Sequence, residues 1–148
     1  MGIHDEYGKK ILTRVTGQHP SWFKKCERSF KYPPDGMTAE LDGVIGEDCV
    51  VEIEGLNEKQ IRVGILDLVF HPYPKKLLVL IPANLSKNKR QEDIQLACQH
   101  LLDNLIRAHC PDASGRVVML RGTGVNQEKF FDEDCKLVQQ SLSLLGWK

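Results

Sequence analysis

Residues Thr38 to Gln60 read TAELDGVIGEDCVVEIEGLNEKQ. Its spacing predicts a strand, a turn at Gly46-Glu47-Asp48, a second strand and the start of a helix. Four carboxylates, Glu40, Asp42, Glu52 and Glu54, fall on the two strands, where Asp and Glu are normally depleted. Side chains alternate along a strand. Glu40 and Asp42 therefore share one face, with Ala39 and Leu41 on the other. Val50, Glu52 and Glu54 share a face of the second strand, opposite Cys49, Val51 and Ile53. Adjacent strands with this pattern aim all four acids at one side of a sheet.

Two accounts compete for that pattern. A sheet with one wet face also alternates charged and apolar residues. Against it, helices predicted on both sides of the hairpin would cover the sheet. No Lys or Thr interleaves the acids, and like charges facing each other across strands are destabilising. The second account is a cation site. Carboxylates ionised together in a poorly hydrated place repel strongly, and a divalent cation removes that repulsion. Mg²⁺ prefers oxygen ligands and typically takes one or two carboxylates together with phosphate and water; Mn²⁺ is the alternative ion. Such an ion polarises a phosphodiester and activates water.

The stretch ELDGVIGEDCVVEIEG, residues 40–55, resembles the active-site hairpin of the PD-(D/E)XK nuclease superfamily, the restriction-endonuclease-like fold. That motif has an Asp on one strand, then an acid, any residue and usually Lys on the next. Asp42 matches the first acid and Glu52 the second, while Glu54 stands where Lys is usual. Some restriction enzymes of the superfamily carry Glu there.

The resemblance spans roughly the first half to two-thirds of the chain, and it implies an α/β protein with a restriction-endonuclease-like mixed β-sheet core flanked by α-helices. It implies a Mg²⁺-dependent endonuclease hydrolysing DNA phosphodiester bonds in restriction, repair or junction processing. Asp42 and Glu52 would ligate the metal, and Glu40 would be a further ligand or support them. Glu54 would take a proton from the attacking water or help hold the metal. Lys59 is either a relocated lysine or a solvated first-turn side chain, and Gln60 either joins the site or completes a helix cap. Glu6, on the first helix, is a secondary candidate, although a helix-terminus charge is the simpler account of it. The family core has three strands between its first two helices. Only two are evident here, so the third is expected in the hairpin or in the loop before Met37. The alternative is a catalytically inactive nuclease-fold domain for nucleic-acid binding or complex assembly, with Glu54 marking lost catalysis. A metal-free interaction domain is the third reading.

Outward from the hairpin, HDEYGKKILTRVTG predicts a helix, capped by Asp5 and ended by Gly17. A second helix starts at Asn57, with Gln60 three residues on as in a capping box, and HPYP stops it near His71. Its buried side is Ile61, Ile65, Leu68 and Val69. KKLLVLIP is a continuous apolar run, as in a strand covered on both faces. KRQEDIQLACQHLLDNLIRAH predicts a helix with Ile94, Ala97, Cys98, Leu101 and Leu105 facing inward. A strand in GRVVMLRG and a closing helix in FFDEDCKLVQQSLSLLGW follow. The alternation implies a mixed sheet with helices on both faces.

The stretch SWFKKCERSFKYPP offers a grip on DNA. Lys24, Lys25, Arg28 and Lys31, opposed only by Glu27, are interleaved with Trp22, Phe23, Phe30 and Tyr32. Basic side chains reach phosphates and aromatics stack on bases; a core-anchored loop with basic edges is the competing account. SKNKR, residues 86–90, is a weaker phosphate patch or an ordinary helix start, and RGTGVN lacks a P-loop ending.

With 148 residues, 41% apolar and 27% charged, the chain is expected to form a single domain with a real core. Twenty basic residues balance 20 acidic ones, so nucleic-acid binding must come from local patches. No apolar run is long enough for a membrane span, and five irregularly spaced cysteines without CxxC suit free thiols in a cytoplasmic protein. Because one site cuts one strand, double-strand cutting would require a homodimer or a larger nuclease complex.

Overall fold

The computed structural model describes residues 3–17, 28–33, 36–55, 57–82, 91–125 and 129–147. In chain order the elements are α1 (Ile3–Thr16), β1 (Ser29–Tyr32), β2 (Met37–Glu40), β3 (Gly43–Ile45), β4 (Cys49–Glu54), α2 (Glu58–Phe70), β5 (Lys75–Leu80), α3 (Gln91–His109), β6 (Ser114–Met119) and α4 (Phe131–Leu144). The protein is α/β, built on a mixed sheet ordered β3-β4-β5-β6.

The hairpin forms as its sequence suggests. Gly46 takes the positive φ of 61° that the tight turn requires, and Gly43, Val44 and Ile45 pair antiparallel with Val51, Val50 and Cys49. The crossover through α2 makes β4 and β5 parallel, and α3 does the same for β5 and β6. Being central, β5 is buried along almost its whole length. The sheet separates two cores. On one face α1 and α4 cover Val51, Ile53, Leu77 and Val79. On the other, α2 and α3 cover Val50, Leu78, Leu80 and Val117.

The expected continuous first strand is in fact broken. Residues 37–40 pair with β1 in a separate two-stranded sheet, and only residues 43–45 pair with β4. At the break the Leu41 N–H donates to the Arg28 carbonyl at 2.9 Å. The extra strand does come from the loop before Met37, as β1, but it joins β2 rather than the main sheet.

Two other expectations shift. Asp5 lies inside the first turn of α1 rather than capping it. Along α3 the inward stripe is Cys98, Leu102 and Ile106, leaving Ala97 and Leu101 exposed. The ends of α2 match expectation: Asn57 Oδ1 accepts from the Lys59 and Gln60 backbone N–H groups at 3.1 and 3.3 Å. Beyond its C-terminus the buried Lys76 Nζ donates to the His71 and Tyr73 carbonyls, each at 2.6 Å. Cys49 and Cys98 are buried free thiols.

Candidate functional site

The break between β2 and β3 is made by a carboxylate. Across from Ile53, where another β-strand carbonyl would continue the ladder, Asp42 Oδ2 accepts the Ile53 N–H at 2.6 Å. The side chain of Asp42 thus replaces the backbone as the chain turns away toward β1. The strand alternation brings Glu52 and Glu54 to the α2 side of β4. Glu52 is only 7% exposed and shares a side-chain hydrogen bond with Asp42. Glycine at position 64 lets α2 lie this close: a Cβ there would be 3.1 Å from Glu52 Cγ and 3.5 Å from Glu54 Cγ.

Two more carboxylates act on the group from other elements. Asp67, one turn beyond Gly64 on α2, acts electrostatically on both Glu52 and Glu54. Asp5 acts on Glu54 from α1. The N-terminal helix reaches this end of β4 because Gly8 lies tight against Ile53, where a Cβ would meet Cγ2 at 2.9 Å.

The electrostatics follow from that crowding. Burial first, then the hydrogen bond and charge of Asp42 and the charges of Glu54 and Asp67, push Glu52 well above the usual carboxylate range. Burial thus favours the neutral form of Glu52, and a hydrogen bond between two carboxyls needs one proton between them. Burial, followed by Asp42, Asp5 and Asp67, pushes Glu54 up to about 7. Among the described residues, burial and the neighbouring acids all raise these two glutamates, and no basic residue opposes them. Asp67 is raised by burial but lowered by a hydrogen bond from Tyr32, whose hydroxyl donates to Oδ1 at 2.5 Å.

Such a donor set suits a hard cation. It offers only oxygens, and ionising Glu52 beside Asp42 is unfavourable unless positive charge arrives. Among the described residues no three His, Cys, Asp or Glu side chains form a ready-made ion cage. Mg²⁺ does not need one, since it usually keeps waters and takes only one or two carboxylates plus substrate oxygens. Asp42 and Glu52, already in contact, fit that demand. Their position near the carboxyl end of β4 is also where open α/β sheets bind ligands.

Of the other sequence candidates, Glu40 is exposed and ion-paired to Arg28 at 2.8 Å in the small sheet. It is not among the groups acting on Glu52 or Glu54. That pair also occupies Arg28, whose Nη1 donates to the Leu41 carbonyl at 3.5 Å. Lys31 is exposed on β1. Lys59, Gln60 and Glu6 are exposed, and the backbone N–H of Gln60, not its side chain, serves the cap. Trp22, Lys24 and Lys25 lie outside the described residues, as does SKNKR.

Sequence reasoning missed Asp67 and gave Asp5 and Tyr32 different roles, a helix cap and an aromatic of the DNA-binding stretch. The signal for Asp67 was present: it borders the buried helical stripe Ile61, Gly64, Ile65 and Leu68. An acid at the edge of an apolar stripe is unremarkable until the facing strand is known. Comparison of the chain with models of known families, with curated proteins and with solved structures returns no match. No helix among the described residues is long and apolar enough to cross a membrane.

Proposed function

We propose that this protein is a metal-dependent nuclease related to the PD-(D/E)XK superfamily, hydrolysing phosphodiester bonds of DNA. The observation that carries the proposal is the shared Asp42–Glu52 hydrogen bond beside the break between β2 and β3, inside a partly buried group of acids whose mutual repulsion a cation would relieve. Asp42 and Glu52 would hold Mg²⁺ or Mn²⁺. When bound, the ion supplies positive charge to the phosphoryl oxygens and lowers the pKa of water.

The chain's own residues account for the rest. Glu54, pushed up to about 7, is poised as a general base, because proton transfer is most efficient when the base titrates near the working pH. The Ile53 N–H holds Asp42 in place through Oδ2. The close approach of α2 at Gly64 leaves Glu52 only 7% exposed. The exposed Lys31 and the basic residues preceding β1 would contact phosphates, with a homodimer or larger complex cutting a second strand.

A second reading has its own support. The position after Ile53 is Glu54 rather than lysine, and Lys59 is exposed. An inactive relative that binds nucleic acid or assembles a complex would look the same.

The test is nicking of supercoiled plasmid, single-stranded and branched DNA with Mg²⁺ or Mn²⁺, then with chelator. Nicking that chelator abolishes and that Asp42→Asn reduces by roughly 100-fold or more supports the enzyme. Salt-dependent DNA binding without cleavage selects the inactive relative, and the absence of both rejects the proposal.

A further inference from the structure

A cleft of about 330 Å³ opens at the amino ends of β5 and β6, a size at the lower end of small-ligand sites. Lys76 lies at the start of β5, and Ala113 just before β6. Glu54 pairs with Leu80 at the other end of the β4–β5 ladder, so the cleft and the acids occupy opposite ends of the sheet. Two helices end here, α2 at Phe70 and α3 at His109. Interlocked rings hold the walls. Phe70 lies 5.0 Å from His109, and Tyr73 stands 4.8 Å from His71 at an interplanar angle of 82°. The Tyr73 N–H donates to His71 Nδ1 at 3.1 Å. The Cys110 thiol donates to the Val69 carbonyl at 3.5 Å, which ties the end of α3 to the end of α2.

Lys76 is the charged group of this cleft, and it is 1% exposed. Its Nζ carries three N–H donors, and two of them go to the His71 and Tyr73 carbonyls. Among the described residues no third acceptor meets it and no carboxylate pairs with it. Buried charges are ordinarily paired. Burial pulls its pKa down to about 8, and only the Cys110 and Cys49 thiols pull it back. Lys76 is therefore an ammonium at neutral pH, with one donor left over beside a cavity.

We infer that this cleft binds a small monocarboxylate with a flat apolar body, the carboxylate accepting from Lys76 Nζ and the body lying among Phe70, Tyr73 and Ala113. The single charge follows from the surroundings. Two carbonyls and the carboxyl ends of α2 and α3 already lend the ammonium partial negative charge, and Asp112 also lines the cleft. A phosphate dianion would be repelled there and would find one free donor, whereas phosphate sites offer several N–H groups or a guanidinium. A carboxylate is held by one charge-assisted hydrogen bond. The flat body follows from the lining rings of Phe70, Tyr73 and His109, against which an aromatic ligand packs edge-on or offset. None of these residues belongs to the acid site, so the inference stands apart from the nuclease reading.

The test is a titration of the full chain with benzoate, and with benzamide as its uncharged isostere, followed by two-dimensional amide NMR. Wild type and Lys76→Met are compared; methionine keeps much of the apolar stem and removes the charge. The expected result for benzoate on wild type is saturable shifts, in the millimolar range, at amides of residues 69–76 and 109–113 that line the cleft. Benzamide on wild type, and benzoate on Lys76→Met, should each bind more weakly by roughly 10-fold or more, the loss of one hydrogen bond to a charged group. Benzoate and benzamide binding alike overturns the inference, because the ammonium then recognises nothing. Benzoate binding within twofold in Lys76→Met overturns it as well. So does the absence of saturable shifts at these amides by tens of millimolar benzoate. If Lys76→Met fails to fold, the comparison of the two probes on wild type decides alone.

Discussion

Replacing Glu54 by glutamine should stabilise the metal-free protein at alkaline pH, although the residue sits at the centre of the proposed site. In the unfolded chain the Glu54 carboxyl titrates near its ordinary 4.5, and in the folded protein near 7. Below pH 4.5 both states hold the proton and the residue contributes no difference. Between these values the unfolded chain ionises while the folded protein does not, so stability falls as pH rises and the loss is complete above about 7. At about 1.4 kcal/mol for each tenfold change in proton affinity, the displacement from 4.5 to about 7 corresponds to about 3.5 kcal/mol before screening. Glu54 is only half-buried, so solvent screening brings the expected loss down to about 1–2 kcal/mol. Glutamine cannot ionise and is spared it. The assay is urea unfolding in chelator at pH 4.5 and pH 8 for wild type and Glu54→Gln. The variant should match the wild type at pH 4.5 and exceed it by about 1–2 kcal/mol at pH 8. Both profiles should still fall with pH, because Glu52 is displaced in the same direction. Mg²⁺ at about 100 times its Kd should restore about 2.7 kcal/mol to the wild type. A variant no more stable than wild type at pH 8 would refute the crowded-carboxylate account.

Two further outcomes concern the scaffold. The free edge of β6 is covered by α3, where Gln99 donates to the Gly115 carbonyl at 3.1 Å and accepts from the Val117 N–H at 2.8 Å. Gln99→Ala should cost about 1–3 kcal/mol and expose a strand edge, seen as concentration-dependent self-association in light scattering. Asp134 is fully buried and accepts from the Tyr7 hydroxyl at 2.6 Å and from the Arg121 and Gly122 N–H groups at 2.7 and 2.9 Å. Asp134→Ala leaves those donors without an acceptor and should lower stability by about 3–5 kcal/mol in urea unfolding.

Features that repeat within one element were legible in the amino-acid pattern alone. A period of two in residues 49–54 settles that Val50, Glu52 and Glu54 face α2 while Cys49, Val51 and Ile53 face α1. An apolar run between breakers settles that β5 is central, and Asn57 settles where α2 starts. These follow from local geometry, because neighbouring residues on a strand or helix have no choice of face once the element forms. Which acids meet is settled by packing between elements. Glu40 and Asp42 are two residues apart and were assigned one face of one strand. Yet Asp42 takes the Ile53 N–H while Glu40 leaves with Arg28, because the side chain of Asp42 ends the backbone pairing between them. Asp5, Asp67 and Tyr32 join Glu52 and Glu54 from three separate elements. That gathering depends on a close helix–strand approach at Gly8 and Gly64. Close approach is a property of two surfaces in contact, and a linear pattern describes only one of them.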